Sequence, residues 1–468
     1  MGETAMLERE FNLVWDRYDN KLMEECEGFS KGYIDFLSGA KTEREVVRDS
    51  VAACEARGFK NIREVKDIKA GDKLYAVNMD KNIFLFVIGK KPMAQGMNLL
   101  GAHIDSPRLD IKQNPIYEDN NLCLMETHYY GGVKKYQWVA QPMALHGVIF
   151  KENGERIDIA IGEDPTDPVV GISDLLIHLS KDQMAETLAK GVKGEDLNVL
   201  IGSRPVAKKK GKEAKNRVKT YILQMLNEKY GIEEEDFVSA ELEIVPAGRA
   251  RDYGLDRSMI MGYGHDDRVC AYTSLLALMD VEAPERTTGC ILCDKEEVGS
   301  QGATGMHSEF FKNLVADLME LKGEGSPREI RQAISNSLML SSDVSAAFDP
   351  NYPSVNEPNN TAYFNRGIVL NKYTGSGGKG GCNDANPEFI AKLRRIMNQN
   401  NIIWQTSELG KVDQGGGGTI AYIMGNMGMS VIDAGVAVQN MHAPWEVISK
   451  GDLYEAYRAY KVFLKEMA

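Results

Sequence analysis

The sequence predicts an α/β protein whose doubly wound, mostly parallel sheet is interrupted by an inserted β-rich module. Apolar runs at 98–105 and 287–297 end in charged residues, a pattern typical of buried strands that lead into a site. From about residue 241, strand-like runs alternate with helical segments, which favours parallel strands with helices on both faces. Between 108 and 237 the pattern changes to short alternating strands.

The length of the chain and this change of pattern indicate two domains. A chain of 468 residues exceeds one ordinary domain. We expect a discontinuous domain formed by residues 1–107 and 238–468, with residues 108–237 inserted as a second domain.

Composition narrows the class of protein. The chain is 43% hydrophobic and 26% charged, as expected for a soluble globular protein, and no apolar run is long enough to cross a bilayer. The net charge of −13 argues against nucleic acid and anionic membranes as partners. The seven cysteines are odd in number and scattered, which favours a reducing cytoplasm over a disulfide framework.

The first hundred residues are expected to form helices and then strands. Apolar residues at helical spacing predict a helix over 7–37. Thr42 and Glu45 have the spacing of a capping box at the start of a second helix over 42–57. The apolar runs 82–89 and 98–105 are expected to be neighbouring buried strands.

The segment beyond the insert is expected to alternate strands and helices. The predicted strands are 287–292, 337–340, 402–406 and 429–436, and the predicted helices are 266–279, 308–320, 386–398 and 452–465.

Side chains of the kinds that bind metals follow predicted strands or open a predicted helix. They are His103, Asp105, Asp266, Asp267, Glu296, Glu297, Asp343 and His442. Carboxylates and imidazoles without thiolates suit a catalytic site for zinc, manganese or cobalt. Singly, each has a structural explanation, such as a helix cap for Asp266. Together they would need several coincidences, so the pattern favours a metal-dependent hydrolase.

Four short strings make the sequence similar to a known family. They are Gly101–Leu109 (GAHIDSPRL), Asp294–Ser300 (DKEEVGS), Asp349–Tyr352 (DPNY) and Met441–His442. Together with the order of the ligand-type residues, they resemble the aspartyl aminopeptidase and aminopeptidase I family of dinuclear zinc peptidases over nearly the whole chain. The resemblance implies a zinc peptidase-like fold that removes single residues from peptides with a free N-terminus. It also implies two divalent metal ions per chain, zinc in the first place, with manganese or cobalt as alternatives.

The resemblance further implies a role for each site residue. The implied ligands are His103 and Asp343 for one ion, Glu297 and His442 for the other, and Asp266 as the bridge between them. Asp105 would hold His103 from behind. Glu296 would act as the general base on the bridging water and then as the acid toward the leaving amine.

The same resemblance bears on assembly and specificity. It makes the insert a dimerisation and lid domain, in which His178 reaches the active site of a neighbouring subunit, and it implies a homo-oligomer built from dimers, up to a dodecamer. Val369 stands where relatives that cleave acidic residues place a lysine, and the nearest lysine is Lys372. We therefore expect neutral N-terminal residues to be cleaved at least as well as Asp or Glu.

Two other functions stay open on the sequence alone. One is a dinuclear-metal amidohydrolase or deacylase that acts on small amides, and activity on N-acylated substrates rather than free-amine peptides would identify it. The other is a non-catalytic scaffold particle of the same fold. The complete ligand set and the presence of Glu296 argue against a scaffold.

Overall fold

The computed structural model describes residue 7, residues 9–208 and residues 215–467. The helices are Val14–Arg17 (α1), Asn20–Gly39 (α2), Glu43–Glu55 (α3), Lys181–Ala185 (α4), Leu188–Gly191 (α5), Arg217–Tyr230 (α6), His265–Met279 (α7), Phe310–Leu321 (α8), Pro327–Ser335 (α9), Pro387–Gln399 (α10), Ala421–Asn426 (α11) and Lys450–Glu466 (α12). None of these helices combines the length and the hydrophobicity needed to cross a bilayer.

The strands fall into three sheets. In chain order they are Lys60–Asn61 (β1), Lys73–Asn78 (β2), Asn82–Val87 (β3), Asn98–His103 (β4), Arg108–Asp119 (β5), Leu122–Tyr130 (β6), Met143–Phe150 (β7), Arg156–Ile161 (β8), Val199–Gly202 (β9), Ala240–Pro246 (β10), Arg251–Tyr253 (β11), Met259–Gly262 (β12), Thr288–Cys293 (β13), Leu338–Ser341 (β14), Ser345–Ala346 (β15), Ile368–Asn371 (β16), Trp404–Thr406 (β17), Ser430–Gly435 (β18), Ala437–Gln439 (β19) and Glu446–Ser449 (β20).

The largest sheet is mixed, with a parallel centre. Its nine strands run in the order β1-β2-β3-β13-β4-β14-β18-β16-β17. The four central strands β13, β4, β14 and β18 are parallel to one another. Antiparallel pairs occur at β2–β3, β3–β13 and β16–β18. The outermost pairs β1–β2 and β16–β17 are again parallel. The sheet is therefore mixed, and parallel pairs outnumber antiparallel ones, as the sequence predicts.

Helices cover both faces of this sheet. On β4, Leu100 packs in a core with α2, α3, α7, α10 and α12, whereas the neighbouring Leu99 packs in a second core with α8, α9 and α11. Because successive side chains of a strand point to opposite faces, each central strand contributes to both cores. This explains why the central strands are almost continuously apolar.

One predicted neighbour relation is wrong. The strands β3 and β4 do not pair, because β13 lies between them, antiparallel to β3 and parallel to β4. The connection from β3 to β4 is held near the start of β13, because the Arg286 guanidinium donates to the carbonyls of Gln95 and Gly96. Periodicity predicts that both runs are buried strands. It carries no information about β13, which comes about 200 residues later in the chain and lies between them in the sheet.

The N-terminal helices show how local sequence sets element boundaries. The expected helix over 7–37 is divided into α1 and α2, because Asp19 leaves helical geometry and its carboxylate accepts the Leu22 N–H as an N-cap. The predicted capping box is confirmed: Thr42 and Glu45 exchange side chain to backbone hydrogen bonds at the start of α3.

The second sheet is formed by strands from the part of the chain between β4 and β13, which both belong to the large sheet. Its six strands run in the order β8-β7-β10-β5-β6-β9, with antiparallel pairing throughout, and they enclose a separate core. The third sheet has the order β11-β12-β20-β19-β15, and the connection between its strands β19 and β20 carries His442. Both smaller sheets reach the same edge of the large sheet.

Candidate metal centre

The site lies at the carboxyl ends of three adjacent parallel strands. His103 is the last residue of β4, the pair Glu296 and Glu297 forms a short 3₁₀ turn after β13, and Asp343 follows β14. Since β13, β4 and β14 are hydrogen-bonded neighbours, these side chains converge at one edge of the sheet. Asp266 joins them from the first turn of α7.

Asp266 lies between two imidazoles. Its Oδ1 is 3.1 Å from His103 Nε2, and its Oδ2 is 3.2 Å from His442 Nε2. Glu297 Oε1 lies 3.6 Å from the same His442 nitrogen. Ligands bound at ~2.0–2.2 Å to one tetrahedral ion lie roughly 3.3–3.6 Å apart, so this spacing suits a cation on each side of the carboxylate.

Asp343 lies on the His103 side of the site. Oxygens of Asp343 and Asp267 and a nitrogen of His103 all lie within 4.8 Å of one another. Asp267 is fully buried, and its Oδ2 accepts the backbone N–H of His103 at 3.3 Å. Asp267 therefore supports the end of β4 from the interior of α7.

Asp105 supports both halves of the site. The ring nitrogen Nδ1 of His103 lies 2.9 Å from the Asp105 carbonyl oxygen and 3.3 Å from its carboxylate. The two carboxylate oxygens accept the backbone N–H groups of Glu296 and Glu297, each at 3.2 Å. Asp105 thus orients one imidazole and also fixes the turn that carries both glutamates.

Glu296 faces the cavity. Its Oε2 lies 3.9 Å from His103 Nε2, and 16% of its side chain is exposed. Burial raises the pKa of Glu296 to about 7; the His103 charge opposes this shift, and the Asp105 and Asp266 charges add to it. A carboxylate with a pKa near neutrality can both accept and return a proton, as a general base must.

The donor set fits divalent cations. Carboxylates outnumber imidazoles among the converging groups. Burial raises the pKa values of the Glu297 and Asp343 carboxyl groups well above the usual range of such groups. One buried oxygen each of Glu297 and Asp267 lacks a hydrogen-bond partner. For His442, burial acts to lower the pKa, but the hydrogen bond to Asp266 and the charge of Glu297 raise it to about 10. Positive ions would compensate this excess of acceptors.

The turn after β6 in the six-stranded sheet also touches the site. The Tyr130 hydroxyl donates to the Asp105 carboxylate at 2.7 Å, and His442 Nδ1 lies 2.9 Å from the Gly132 carbonyl oxygen. A side chain at Gly132 would press on the His442 ring, since an added Cβ would lie 3.1 Å from His442 Nδ1. The insert therefore helps to orient two residues of the site in its own chain.

Glu446 is a site residue that the sequence does not reveal. It begins β20, and its carboxylate accepts the backbone N–H groups of His442 at 2.7 Å and Asp266 at 3.0 Å. A charged residue before the apolar run Val447–Ile448 is the only local signal. That signal does not identify Asp266 as a hydrogen-bond partner, because Asp266 lies 180 residues away along the chain.

A cavity of about 450 Å³ adjoins the converged groups. Besides the candidate ligands and Glu296, its wall includes Val344, Asn371, Leu409, Thr419 and Met441. Across the described ranges, no lysine or arginine lines this cavity. It is large enough for one amino-acid side chain and the first peptide bond of a substrate.

The remaining predicted residues lie outside this cavity. His178 lies on an exposed 3₁₀ turn, Ile177–Leu179, in the insert and does not line the site of its own chain. Val369 is fully buried within β16. Lys372 forms an ion pair with Asp384 at 3.1 Å and lines a different cavity on the far side of β16.

The chain matches a known protein family over most of its length. Residues 36–464 match the family model described as aminopeptidase I zinc metalloprotease (M18). A probable M18 family aminopeptidase 1 from Clostridium acetobutylicum is 57% identical over 460 residues, covering 97% of this chain and 98% of that relative.

Two crystal structures have the same fold. The aminopeptidase of the M18 family from Thermotoga maritima superposes with a TM-score of 0.94 at 43% identity, covering 98% of this chain and 100% of that one. Aminopeptidase I from Clostridium acetobutylicum superposes with a TM-score of 0.91 at 54% identity, with the same coverage. The chain therefore belongs to the aminopeptidase I zinc metalloprotease (M18) family and is a metal-dependent aminopeptidase.

Proposed function

We propose that this aminopeptidase uses two divalent metal ions per chain, zinc in the first place, with manganese or cobalt as alternatives. The observation that carries the proposal is the position of Asp266, whose two oxygens each face one imidazole at 3.1–3.2 Å. A carboxylate shared in this way has one donor for each of two ions. The proposed ligands are His103 and Asp343 on one side, Glu297 and His442 on the other, and Asp266 between them.

The bound ions would supply two effects, a lowered pKa for the attacking water and stabilisation of negative charge on the scissile carbonyl oxygen. Glu296 takes a proton from the attacking water and delivers it to the nitrogen of the leaving peptide. It lines the cavity and has no ligand role in the proposed set. Asp105 keeps Glu296 in place through the backbone N–H of that residue.

Replacement of Glu296 tests this assignment. We predict that Glu296→Gln retains both metal ions but loses ~10²–10⁴-fold in kcat, because the amide cannot accept the proton. Glu297→Gln is the matched control, since Glu297 is itself a proposed ligand and its replacement should remove metal. Near-normal turnover of Glu296→Gln at full metal content would exclude Glu296 as the base.

The substrates we propose are peptides with a free N-terminus and a neutral first side chain. The described wall of the cavity has apolar residues such as Val344, Leu409 and Met441 but no cation to pair with an acidic side chain. Burial of an unpaired carboxylate is costly, so Asp and Glu gain nothing in this cavity.

We propose that residues 108–237 act as a dimerisation and lid domain, whose sheet is completed by β10 from beyond the expected boundary, and that the rest of residues 1–107 and 238–468 forms the catalytic domain. The segment around His178 exposes a run of apolar side chains, namely Leu175, Leu176, Ile177, Leu179, Met184 and Leu188. Such a surface is typical of a subunit interface. A second copy of the chain would cover it and bring His178 to the neighbouring cavity, where it would bind the scissile carbonyl.

We also propose a homo-oligomer built from these dimers, up to a dodecamer. The mApe1 protein of S. cerevisiae, with a TM-score of 0.75 at 19% identity, is described as a dodecamer. The shared fold supports the same assembly here, and the exposed apolar run supplies a surface for its dimer step.

A further inference from the structure

Glu446 is a buried carboxylate that joins two proposed ligands through their backbones. Only 1% of the residue is exposed. One oxygen accepts the His442 N–H at 2.7 Å, and the other accepts the Asp266 N–H at 3.0 Å. Within the described chain, no lysine or arginine nitrogen lies within 4.0 Å of its carboxylate, so these two N–H groups are what compensates its burial.

Both residues that Glu446 contacts have backbones that regular structure does not fix. His442 has a positive φ of 64°, which is uncommon for a residue with a side chain. Asp266 has ψ 104°, outside the helical range, although it lies in the first turn of α7. Neither N–H is satisfied by the hydrogen bonds of a helix or sheet, and Glu446 provides the acceptor for both.

The strand that carries Glu446 is itself well anchored. Gly262 of β12 lies directly opposite Glu446, three residues before the segment that begins α7, and β20 also pairs with β19. Glu446 is therefore a fixed point between the loop that carries Asp266 and the loop that carries His442. The length of the Glu446 side chain therefore sets the distance between those two loops.

We propose that Glu446 is a positioning residue that fixes Asp266 and His442 relative to each other and thereby shapes the metal position they share. This inference rests on the two-metal site proposed above. Glu446 would touch neither substrate nor metal. Its effect would reach the metal through the two ligands, and carboxylates of this kind typically change metal affinity by ~10–100-fold when replaced.

The test uses the enzyme loaded with Co²⁺, whose visible absorption reports the geometry of its ligands. Glu446→Gln keeps the shape of the side chain, but its NH₂ group faces one of the two backbone N–H groups and cannot accept from it. We expect an altered Co²⁺ spectrum and ~10–100-fold weaker binding of one ion in competition with a chelator. If Glu446→Gln does not fold, the same measurements are made on Glu446→Asp. That variant keeps both carboxylate oxygens on a side chain that is one methylene shorter.

Asp452 provides a matched control. It is equally buried, and its carboxylate accepts two backbone N–H groups, from Gly367 at 2.7 Å and Asn365 at 2.8 Å, neither of which belongs to a proposed ligand. We expect Asp452→Asn to lower the thermal midpoint while the Co²⁺ spectrum and affinity stay as in the wild type.

Two results would overturn the inference. One is a wild-type spectrum and affinity in the Glu446 variant, and the other is an equal change in Asp452→Asn, which would indicate a general loss of stability. Failure of the wild type itself to bind two Co²⁺ ions would instead contradict the proposed two-metal site, so the two failures are distinguishable.

Discussion

At the scale of single residues, the chemistry depends on carboxylates that are held by backbone N–H groups. Asp105 accepts from the two glutamates, and Glu446 accepts from Asp266 and His442. These hydrogen bonds hold the Asp105 and Glu446 carboxylates in place, although neither forms an ion pair with a lysine or arginine in the described residues. The acceptor groups of the site therefore stay directed at the space between the imidazoles, where cations would bind.

Specificity is decided at the same scale. Val369 is buried, and Lys372 is paired with Asp384, so neither supplies a cation to the cavity. We predict that amides of Leu and other neutral residues are cleaved with a kcat/KM at least equal to those of Asp or Glu. A panel of chromogenic aminoacyl amides measures this ratio.

The control for that experiment is a second lysine that pairs with the same aspartate. Lys379 Nζ lies 3.1 Å from Asp384, as does Lys372 Nζ. We expect Lys372→Ala and Lys379→Ala to leave the preference unchanged. A strong preference for acidic residues that disappears only in Lys372→Ala would show that Lys372 is the selecting cation.

The sequence predicts residues of this site unequally, for a physical reason. Residues such as His103 and Asp343 follow apolar strands, so their place at the sheet edge follows from the pattern. Tyr130 and Glu446 act by hydrogen bonds to residues that are 25 and 180 positions away. No periodicity encodes such pairs, which exist only once three sheets have come together at one edge.

At the scale of elements, short stretches of sequence predict whether a segment is a helix or a strand better than they predict which strands pair. The capping box of α3 and the buried strands β4 and β14 were visible in short windows. The insertion of β13 between β3 and β4 depends on packing between distant segments. The same limit applies to the antiparallel pairs β2–β3, β3–β13 and β16–β18, because strand direction depends on the path of the connection and not on the sequence of the strand.

The junction between α3 and the insert contains a titratable cluster. His146 on β7 lies 2.9 Å from Glu45 of α3 and 3.1 Å from Glu163, which also pairs with Lys41 at 2.6 Å. Burial acts to lower the pKa of His146, but hydrogen bonds with Glu163 and Glu45 raise it above 6.5. Burial acts to raise the pKa of Glu45 and of Glu163, but their bonds to His146 lower both below 4.5.

These shifts fix the sign of a pH effect on stability. A raised histidine pKa gives stability that is complete below 6.5 and is lost as pH rises through the folded value. The lowered glutamate pKa values give stability that is present above 4.5 and lost as pH falls. We predict that the difference in thermal midpoint between wild type and His146→Gln is largest between these two values.

Calorimetry of both proteins from about pH 3.5 to about pH 9, a range that includes the ordinary pKa values of glutamate and histidine, measures that difference. The exposed His128 of β6 is the control, because His128→Gln removes a histidine from the same sheet without breaking an ion pair in the described residues. A His146→Gln effect that grows steadily above neutral pH would contradict the prediction.

At the scale of the whole molecule, the proposed dimer predicts complementation between two defective chains. Glu296→Gln lacks the base, and His178→Ala lacks the residue proposed to act on the neighbouring subunit. In a mixed dimer, the site with an intact Glu296 receives an intact His178 from its partner. Equal mixing after dissociation should therefore restore roughly a quarter of wild-type activity, one good site in half of the dimers.

Each variant reassembled alone, at the same concentration and metal content, is the control. Recovery that requires both chains supports a site shared across a two-fold interface. No recovery, together with sedimentation that shows mixed dimers have formed, would mean that His178 acts within its own chain, and a fully active His178→Ala variant would mean that it does not act at all.

The most direct measurement is the number and position of bound metals in the intact protein. Zinc-loaded crystals with diffraction collected at the zinc edge locate each ion, and elemental analysis of the same preparation counts them. We predict two ions per chain, one beside His103 and Asp343, the other beside Glu297 and His442, with Asp266 between them. A single ion per chain, or anomalous density among other side chains, would contradict the proposed two-metal site.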